Sequence, residues 1–185
     1  MDTLAYHGTT AELGKQIEAE GLLRPRGDDP GNWSGGLEGG NPSNPDWVYV
    51  CLDKDTALGY MKEIARRNRA QSGAVVIVQP DFSAAHPDED LIFERMFNEP
   101  PSPMNDKLWE ILGSAMAVDW QELRDYATSG EAEIPDSELS SNMILVAERV
   151  KDVLSSEEMH ALFRNAATLA FDRPLPVVSV EYFNV

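Results

Sequence analysis

Ala5-Tyr6-His7-Gly8-Thr9-Thr10 is the stretch from which the fold of this chain can be worked out. The apolar residues before His7 predict the end of a strand, and Thr9 and Thr10 are good caps for a following helix. Gly8 lets the backbone turn tightly and leaves no side chain to obstruct a ligand. We therefore expect His7 at a strand-to-helix turn, where outward-pointing backbone N–H groups suit a ligand rich in phosphate or amide groups.

Length and composition indicate a globular protein with a sizeable core. The chain has 185 residues, of which 42% are hydrophobic, and this suits a single domain. We see no apolar run long enough to span a membrane and no charged-apolar-small leader, so we expect a cytoplasmic protein without a membrane partner. The one cysteine, Cys51, excludes an internal disulfide and a cysteine metal cage, and its apolar surroundings favour a core position.

The net charge of −17 narrows the choice of partners. Unaided binding to a nucleic-acid backbone needs Lys and Arg side chains that displace counterions, so this charge argues against it. A basic protein partner, DNA mimicry and a merely solvated acidic surface are all compatible with the charge.

Hydrophobic periodicity predicts alternating helices and strands. In the first half we expect a strand over residues 4–7, a helix over 11–20 ended by Gly21, a strand over 47–52, a helix over 54–70 capped by Asp53, and a buried strand over 74–78. In the second half we expect a helix over 107–127 that Gly113 interrupts, a strand over 143–147, a helix opened by the Ser155–Glu158 capping box and continuing to about 168, and a strand over 177–183. This is a mixed α+β architecture with about five strands, and a doubly wound sheet is the alternative.

Residues 24–46 form a long segment rich in Gly, Pro, Asn and Asp, without periodicity. Such a segment inside a compact domain is usually a lid, a binding loop or disordered. It contains Arg26 and Trp33. Trp33 is expected either to cover a ligand or to anchor the segment on the body of the protein.

The ordered motifs resemble the ADP-ribosyltransferase superfamily. They are Tyr6-His7-Gly8-Thr9-Thr10, Ile17, Gly21-Leu22, Val48-Tyr49-Val50, and Ala57 with Tyr60. Arg24-Pro25-Arg26-Gly27, Asn32-Trp33 and Pro87-Asp88-Glu89-Asp90 are similar to small ADP-ribosyltransferase-like proteins common in bacteriophage genomes. The likeness to rifampin-modifying ADP-ribosyltransferases and RNA 2′-phosphotransferases is weaker, and the resemblance covers about residues 4–94.

The resemblance implies a single domain over residues 1–185 with a split β-sandwich core and surrounding helices. It implies NAD as a substrate, transfer of ADP-ribose to an unidentified acceptor, and release of nicotinamide. His7 would hydrogen-bond the ribose next to nicotinamide, the Gly8 backbone would hold the nicotinamide amide, and Tyr49 and Tyr60 would clamp the ring. Thr9, Arg26 and Trp33 are assigned to the same NAD site.

The catalytic carboxylate, which would act together with His7 and Tyr49, is the site residue that the sequence defines least. The superfamily usually supplies a Glu just before an apolar strand, but here that position holds Asn142 or Met143. A carboxylate is needed because cleavage of the glycosidic bond develops oxocarbenium character. Asp90 is our first candidate and Asp88 the second. Further candidates are Glu138, Glu148 and Glu181, and a cation site formed by His86 with the 88–90 carboxylates is an alternative use of that run.

Two other functions compete with the transferase. The missing Glu and the acidic charge fit a catalytically inactive binding protein on the same fold, such as a phage-encoded inhibitor of a host system. Removal of an RNA 2′-phosphate with NAD would require a basic groove. Arg66, Arg67 and Arg69 form only a small basic cluster.

Overall fold

The computed structural model describes residues 4–25, 44–129, 136–163 and 166–185, apart from the side chains of residues 136–141. Its contacts divide the chain into two compact units. Among the described residues, the sheet unit comprises 4–25, 45–85 and 167–185, and the helical unit comprises residue 44 with 86–129, 136–163 and 166. The single domain expected from the sequence stays a prediction.

Seven helices and seven strands occur in the described ranges. In chain order they are β1 (Ala5–Thr10), α1 (Ala11–Glu20), β2 (Leu22–Leu23), β3 (Val48–Cys51), α2 (Lys54–Arg67), β4 (Ser72–Val78), β5 (His86–Pro87), α3 (Glu89–Phe97), α4 (Pro103–Met116), α5 (Trp120–Thr128), α6 (Asp136–Val153), α7 (Ser156–Phe163), β6 (Thr168–Phe171) and β7 (Leu175–Asn184). None of the helices in the described ranges is long and apolar enough to cross a membrane.

The sheet unit is built on an antiparallel sheet with the order β2-β7-β4-β1-β3-β6. The mixed α+β class is therefore confirmed, and the doubly wound alternative is wrong because these strands are antiparallel. Along β1, pairing with β4 is complete, from Ala5 opposite Val78 to Thr10 opposite Gly73. Pairing with β3 is limited to Tyr6 opposite Cys51, so β1 and β3 diverge beyond Tyr6.

Helices α1 and α2 cover opposite faces of the β4–β1 pair. A Cβ on Gly14 of α1 would lie 2.6 Å from the Cβ of Ala74, which is the β4 partner of Thr9. A Cβ on Gly8 would lie 2.3 Å from the Ala57 carbonyl oxygen in α2. Successive strand residues face opposite sides, so the two helices enclose β1 and β4 between them.

The turn predicted at Gly8 is wrong, because β1 continues through Gly8 to Thr10. Besides the Ala57 oxygen, a Cβ at this position would lie 2.7 Å from the Met61 nitrogen. Gly8 therefore allows α2 to pack closely on the strand, and it does not change the direction of the chain. The predicted cap is confirmed at Thr10, whose hydroxyl accepts from Leu13 N at 3.3 Å, and Gly21 ends α1 with a φ of 69°.

The strand predicted over residues 143–147 is also wrong, since these residues belong to α6. The buried positions Met143, Val146, Ala147 and Val150 recur every three or four residues, which is the spacing of a helix face. A short apolar run does not distinguish a buried strand from a buried helix, and the longer pattern decides it. The resemblance placed a catalytic Glu beside this run, which is not a strand.

The helical unit has a fully buried core that includes Trp109, Leu112 and Leu162. The helix predicted over 107–127 is two helices, because Ala117 adopts a left-handed φ of 56° between α4 and α5. Gly113 lies inside α4 and does not interrupt it, and a Cβ there would lie 2.7 Å from the Cβ of Trp120. The predicted capping box opens α7, which ends at Phe163, before the strand β6 that the sequence did not predict.

We expect Gly8→Ala to lower the free energy of unfolding by about 3 kcal/mol, because the new methyl group would overlap α2 backbone atoms that have no room to move. Gly59→Ala is the control, since this α2 glycine is exposed and has no atom within 4 Å of the place that a methyl group would take. Gly59→Ala should stabilise by about 0.5–1 kcal/mol through helix propensity. Urea denaturation measures both, and equal effects would contradict the packing role of Gly8.

Candidate functional site

His7 and Tyr49, which are 42 positions apart in the sequence, meet where β1 and β3 diverge. The Nδ1 atom of His7 lies 2.8 Å from the carbonyl oxygen of Tyr49. A carbonyl oxygen only accepts hydrogen bonds, so Nδ1 carries the proton and donates it. The imidazole thus joins the two strands beyond their paired residues, Tyr6 and Cys51.

This hydrogen bond defines what the other ring nitrogen of His7 can do. Burial lowers the pKa of His7, and the opposing effect of the bond to the Tyr49 carbonyl is smaller. The imidazole is therefore neutral at pH 7, with its proton on Nδ1 and a lone pair on Nε2. Nε2 is a hydrogen-bond acceptor suited to a hydroxyl group of a ligand.

His7 contacts Tyr49 through the Tyr49 backbone and not through its phenol. The ring is half-buried, and its centroid lies 6.5 Å from that of Trp47, with the planes tilted by 48°. Trp47 is itself only 6% exposed and supports one side of Tyr49. The sequence signal for this support was an aromatic residue two positions before Tyr49, on the same face of the strand.

The other residues assigned to NAD from the sequence differ in accessibility. Gly8 is buried, and the side that a Cβ would occupy is filled by α2. The Thr9 side chain is fully buried, and its hydroxyl has no hydrogen-bond partner among the described residues. Tyr60 lies on α2 with 40% of its surface exposed. Arg26 and Trp33 lie outside the described residues.

Asp88, in the helical unit, combines burial with a capping role. It is 7% exposed, and its Oδ1 accepts from the backbone nitrogen of Leu91 at 2.8 Å, at the start of α3. Burial raises the pKa of Asp88 to about 7, and the nearby charges of Asp90 and Glu89 act in the same direction. Asp90 is more exposed, and partial burial raises its pKa as well.

The remaining carboxylate candidates have structural partners or lie outside the described side chains. Glu181 on β7 forms an ion pair with Lys54 at 2.5 Å. Glu148 on α6 accepts a 3.3 Å hydrogen bond from the Asn44 side chain. The Glu138 side chain is one of those that the structure leaves undescribed.

His86 and the 88–90 carboxylates, which the sequence offers as a possible cation site, lie just before α3 and in its first turn. In the described part of the chain, no three His, Cys, Asp or Glu side chains are grouped so as to hold a metal ion. The carboxylates of the run have other roles, since Asp88 caps α3 and buried Glu89 accepts from the Asn44 backbone nitrogen at 3.3 Å.

Comparison with known proteins returns no match, whether the chain is set against family models, curated proteins or solved structures.

We expect Asp88→Asn to stabilise the protein at pH 8 by roughly 2–4 kcal/mol and to leave its stability at pH 4 almost unchanged. The folded state holds the Asp88 proton up to a pKa of about 7, whereas the unfolded value is 3.8. Stability contributed by that proton is therefore present at low pH and lost as the pH rises between these values. Asparagine retains the helix cap and has no charge to bury.

Asp53→Asn is the matched control for Asp88→Asn. Asp53 also caps a helix, α2, but it is exposed, and its hydrogen bonds with Thr56 lower its pKa. Its carboxylate therefore contributes stability above the unfolded pKa that is lost as the pH falls, which is the opposite dependence. Urea denaturation from pH 4 to 8 measures both variants, and parallel curves would show that Asp88 is not protonated near neutrality.

Proposed function

We propose that this protein is an NAD-dependent ADP-ribosyltransferase, which transfers ADP-ribose to an acceptor and releases nicotinamide. The observation that carries the proposal is the 2.8 Å contact between His7 Nδ1 and the Tyr49 carbonyl at the divergence of β1 and β3. The resemblance assigns His7 to the ribose next to nicotinamide and Tyr49 to the nicotinamide ring, and these two residues, from separate motifs, are neighbours. The separation of two paired strands also gives a ligand access to backbone groups that a continuous ladder would occupy.

The side chains at this position suit the nicotinamide half of NAD. Nε2 of neutral His7 can accept a hydrogen bond from a ribose hydroxyl, because Nδ1 is held by Tyr49. Nicotinamide in NAD is a planar cation, and the faces of Tyr49 and Tyr60 are favourable surfaces for such a ring. Contacts from Gly8 and Thr9 would use their backbones, since one has no side chain and the other's is buried.

In the proposed reaction, the bond between ribose C1′ and the nicotinamide nitrogen breaks. The bonding electron pair leaves with nicotinamide, which becomes neutral, and positive charge develops on the ribose. A nucleophilic atom of the acceptor forms the new bond to C1′ and loses its proton. When water is the acceptor, the products are ADP-ribose, nicotinamide and a proton, so turnover can be measured without knowing the natural acceptor.

We propose Asp90 as the carboxylate that stabilises the developing positive charge, with Asp88 as the second choice. The environments of the two residues support this order. One oxygen of Asp88 accepts from Leu91 N, and the pKa of about 7 leaves much of this carboxyl protonated at neutral pH. Asp90 begins the same helix with a more exposed side chain.

We expect His7→Ala and Tyr49→Ala each to reduce nicotinamide release from NAD by at least about 100-fold, because hydrogen bonds and ring contacts that position the reacting sugar are lost. Tyr49→Phe should retain most activity, since the proposal uses the aromatic face and not the hydroxyl. Chromatographic measurement of nicotinamide gives the rates. Tyr126→Ala is the control, because this tyrosine lies in the helical unit and is 54% exposed.

The carboxylate is tested in the same assay with Asp90→Asn and Asp88→Asn. A loss of release in Asp90→Asn, with NAD binding retained by calorimetry, would support the role of Asp90. A loss in Asp88→Asn alone would reverse the order of the two. Full activity in folded His7→Ala would refute the site assignment, and absence of both release and NAD binding in the natural sequence would favour the inactive acidic binding protein.

A further inference from the structure

Strands β3 and β6 form a two-stranded ribbon within the sheet unit, the β3–β6 ribbon. All four residues of β3 pair with residues of β6, and the Leu52 nitrogen extends this pairing by donating to the Ala167 carbonyl at 3.0 Å. Toward β1, the hydrogen bonds that the described residues show are those of the Tyr6–Cys51 pair and the one from His7. The ribbon is therefore held together more firmly than it is held to β1.

The side chains around His7 on its own face of the sheet are apolar. Because Gly8 packs against α2, His7 points to the other face of β1, which α1 covers. Val76 lies opposite His7 on β4, and Val180 comes next on β7. The buried side chain that α1 contributes is Ile17. A positive charge on the imidazole would therefore be poorly solvated in the closed sheet.

The charged residues of the neighbouring elements have other partners or are exposed. Strands β1, β3 and β4 contain no Asp, Glu, Lys or Arg, and their other titratable side chains are Tyr6, Tyr49 and Cys51. The charged residues of α1 and β7 are Glu12, Lys15, Glu18, Glu20 and Glu181.

None of these five groups compensates a charge on His7. Glu18 accepts from the Tyr182 hydroxyl at 2.7 Å, and Glu20 pairs with Arg24 at 3.0 Å. Glu12 and Lys15 are exposed. Glu181 lies on the α2 face of the sheet, in line with Gly8 and Val75, and it pairs with Lys54. Among the described residues, burial and the Tyr49 carbonyl are the influences on the pKa of His7.

We propose that His7 is an acid-sensitive link between β1 and the β3–β6 ribbon, which opens when the imidazole gains a second proton. In the closed sheet, the charged ring would lie among apolar side chains without a counter-charge, whereas in the opened sheet water would solvate it. The inference does not depend on the proposed transferase. It uses the burial of His7 and its bond to the Tyr49 carbonyl, and not the acceptance of a ligand hydroxyl by Nε2.

The direction of the pH dependence follows from the proton content of the two states. Burial lowers the pKa of His7 in the closed sheet, whereas an exposed imidazole titrates near 6.5. The closed state therefore binds fewer protons than the open state, and its stability is lost as the pH falls below 6.5. Opening should increase by up to about tenfold for each further pH unit. Asp88 has the opposite dependence, because it takes up its proton in the folded state.

Cys51 allows the opening to be measured in the natural sequence. It is the one cysteine of the chain, is 4% exposed, and lies opposite Tyr6 at the boundary between β1 and β3. A pyridyl disulfide should label it when this boundary opens. Dividing by the labelling rate of the urea-unfolded chain at the same pH removes the pH dependence of the thiol reaction itself. We expect the corrected rate to rise several-fold between pH 7 and pH 5.

Two histidine variants identify the sensor. His7→Asn keeps a side-chain N–H for the Tyr49 carbonyl but cannot become charged, so its corrected rate should not change between pH 7 and pH 5. His160→Asn is the matched control, because His160 also bonds a backbone carbonyl, that of Ser156 at 2.7 Å, but is exposed on α7. This variant should retain the several-fold rise.

The outcome in the natural sequence decides the proposal even if His7→Asn does not fold. A corrected rate that is constant from pH 7 to pH 5 overturns it. A rise that persists in folded His7→Asn also overturns it, because another group is then the sensor. Urea denaturation at each pH gives the rate expected from global unfolding. Labelling no faster than that rate would show that the whole chain unfolds, which also overturns the proposal.

Discussion

The close contact between α2 and β1 is the constraint on which the sheet unit depends. Backbone atoms of Ala57 and Met61 lie where a side chain at position 8 would have to be, so the contact exists only with glycine there. Because α2 lies directly against the strand, Met61 joins Cys51, Ala57 and Val75 in one buried cluster. This packing therefore also holds β1, the strand that carries His7, against α2.

The contact between α2 and β1 also illustrates why some elements were predicted correctly from the sequence and others were not. Four helix caps were predicted correctly, at Thr10, Gly21, Asp53 and Ser155, since each acts through local geometry that depends on its immediate neighbours. The single helix over 107–127 and the helix end at about 168 were wrong. Gly8 was misread because its sequence neighbours do not show that a helix from residues 54–67 would pack on it. The apolar run 143–147 was wrongly predicted as a strand for a related reason. Its conformation depends on burial and not on local propensity.

His7 and Tyr49 were both assigned to the candidate site from the sequence, but the geometry of their contact was not predicted. His7 and Tyr49 were named from separate motifs, and the structure places Nδ1 of one against the backbone oxygen of the other. Trp47 was not predicted because an aromatic residue in a strand is common, and only the observed ring contact identifies its support of Tyr49. The roles of the carboxylates depend on burial and capping, as the contrast between buried Asp88 and exposed Asp53 illustrates, and neither property can be read from the 88–90 charge run.

The sheet is weakly joined between β1 and β3, which share a single paired position. On one side of β1, six consecutive residues are paired with β4, whereas on the other Tyr6 and Cys51 are followed by a bond through an imidazole ring. Local opening follows the boundary with the fewest interactions, so β3 and β6 would separate from the rest of the sheet before β4 does. Amide protons between β1 and β3 would then exchange with solvent through brief partial openings, while those between β1 and β4 would exchange only through global unfolding.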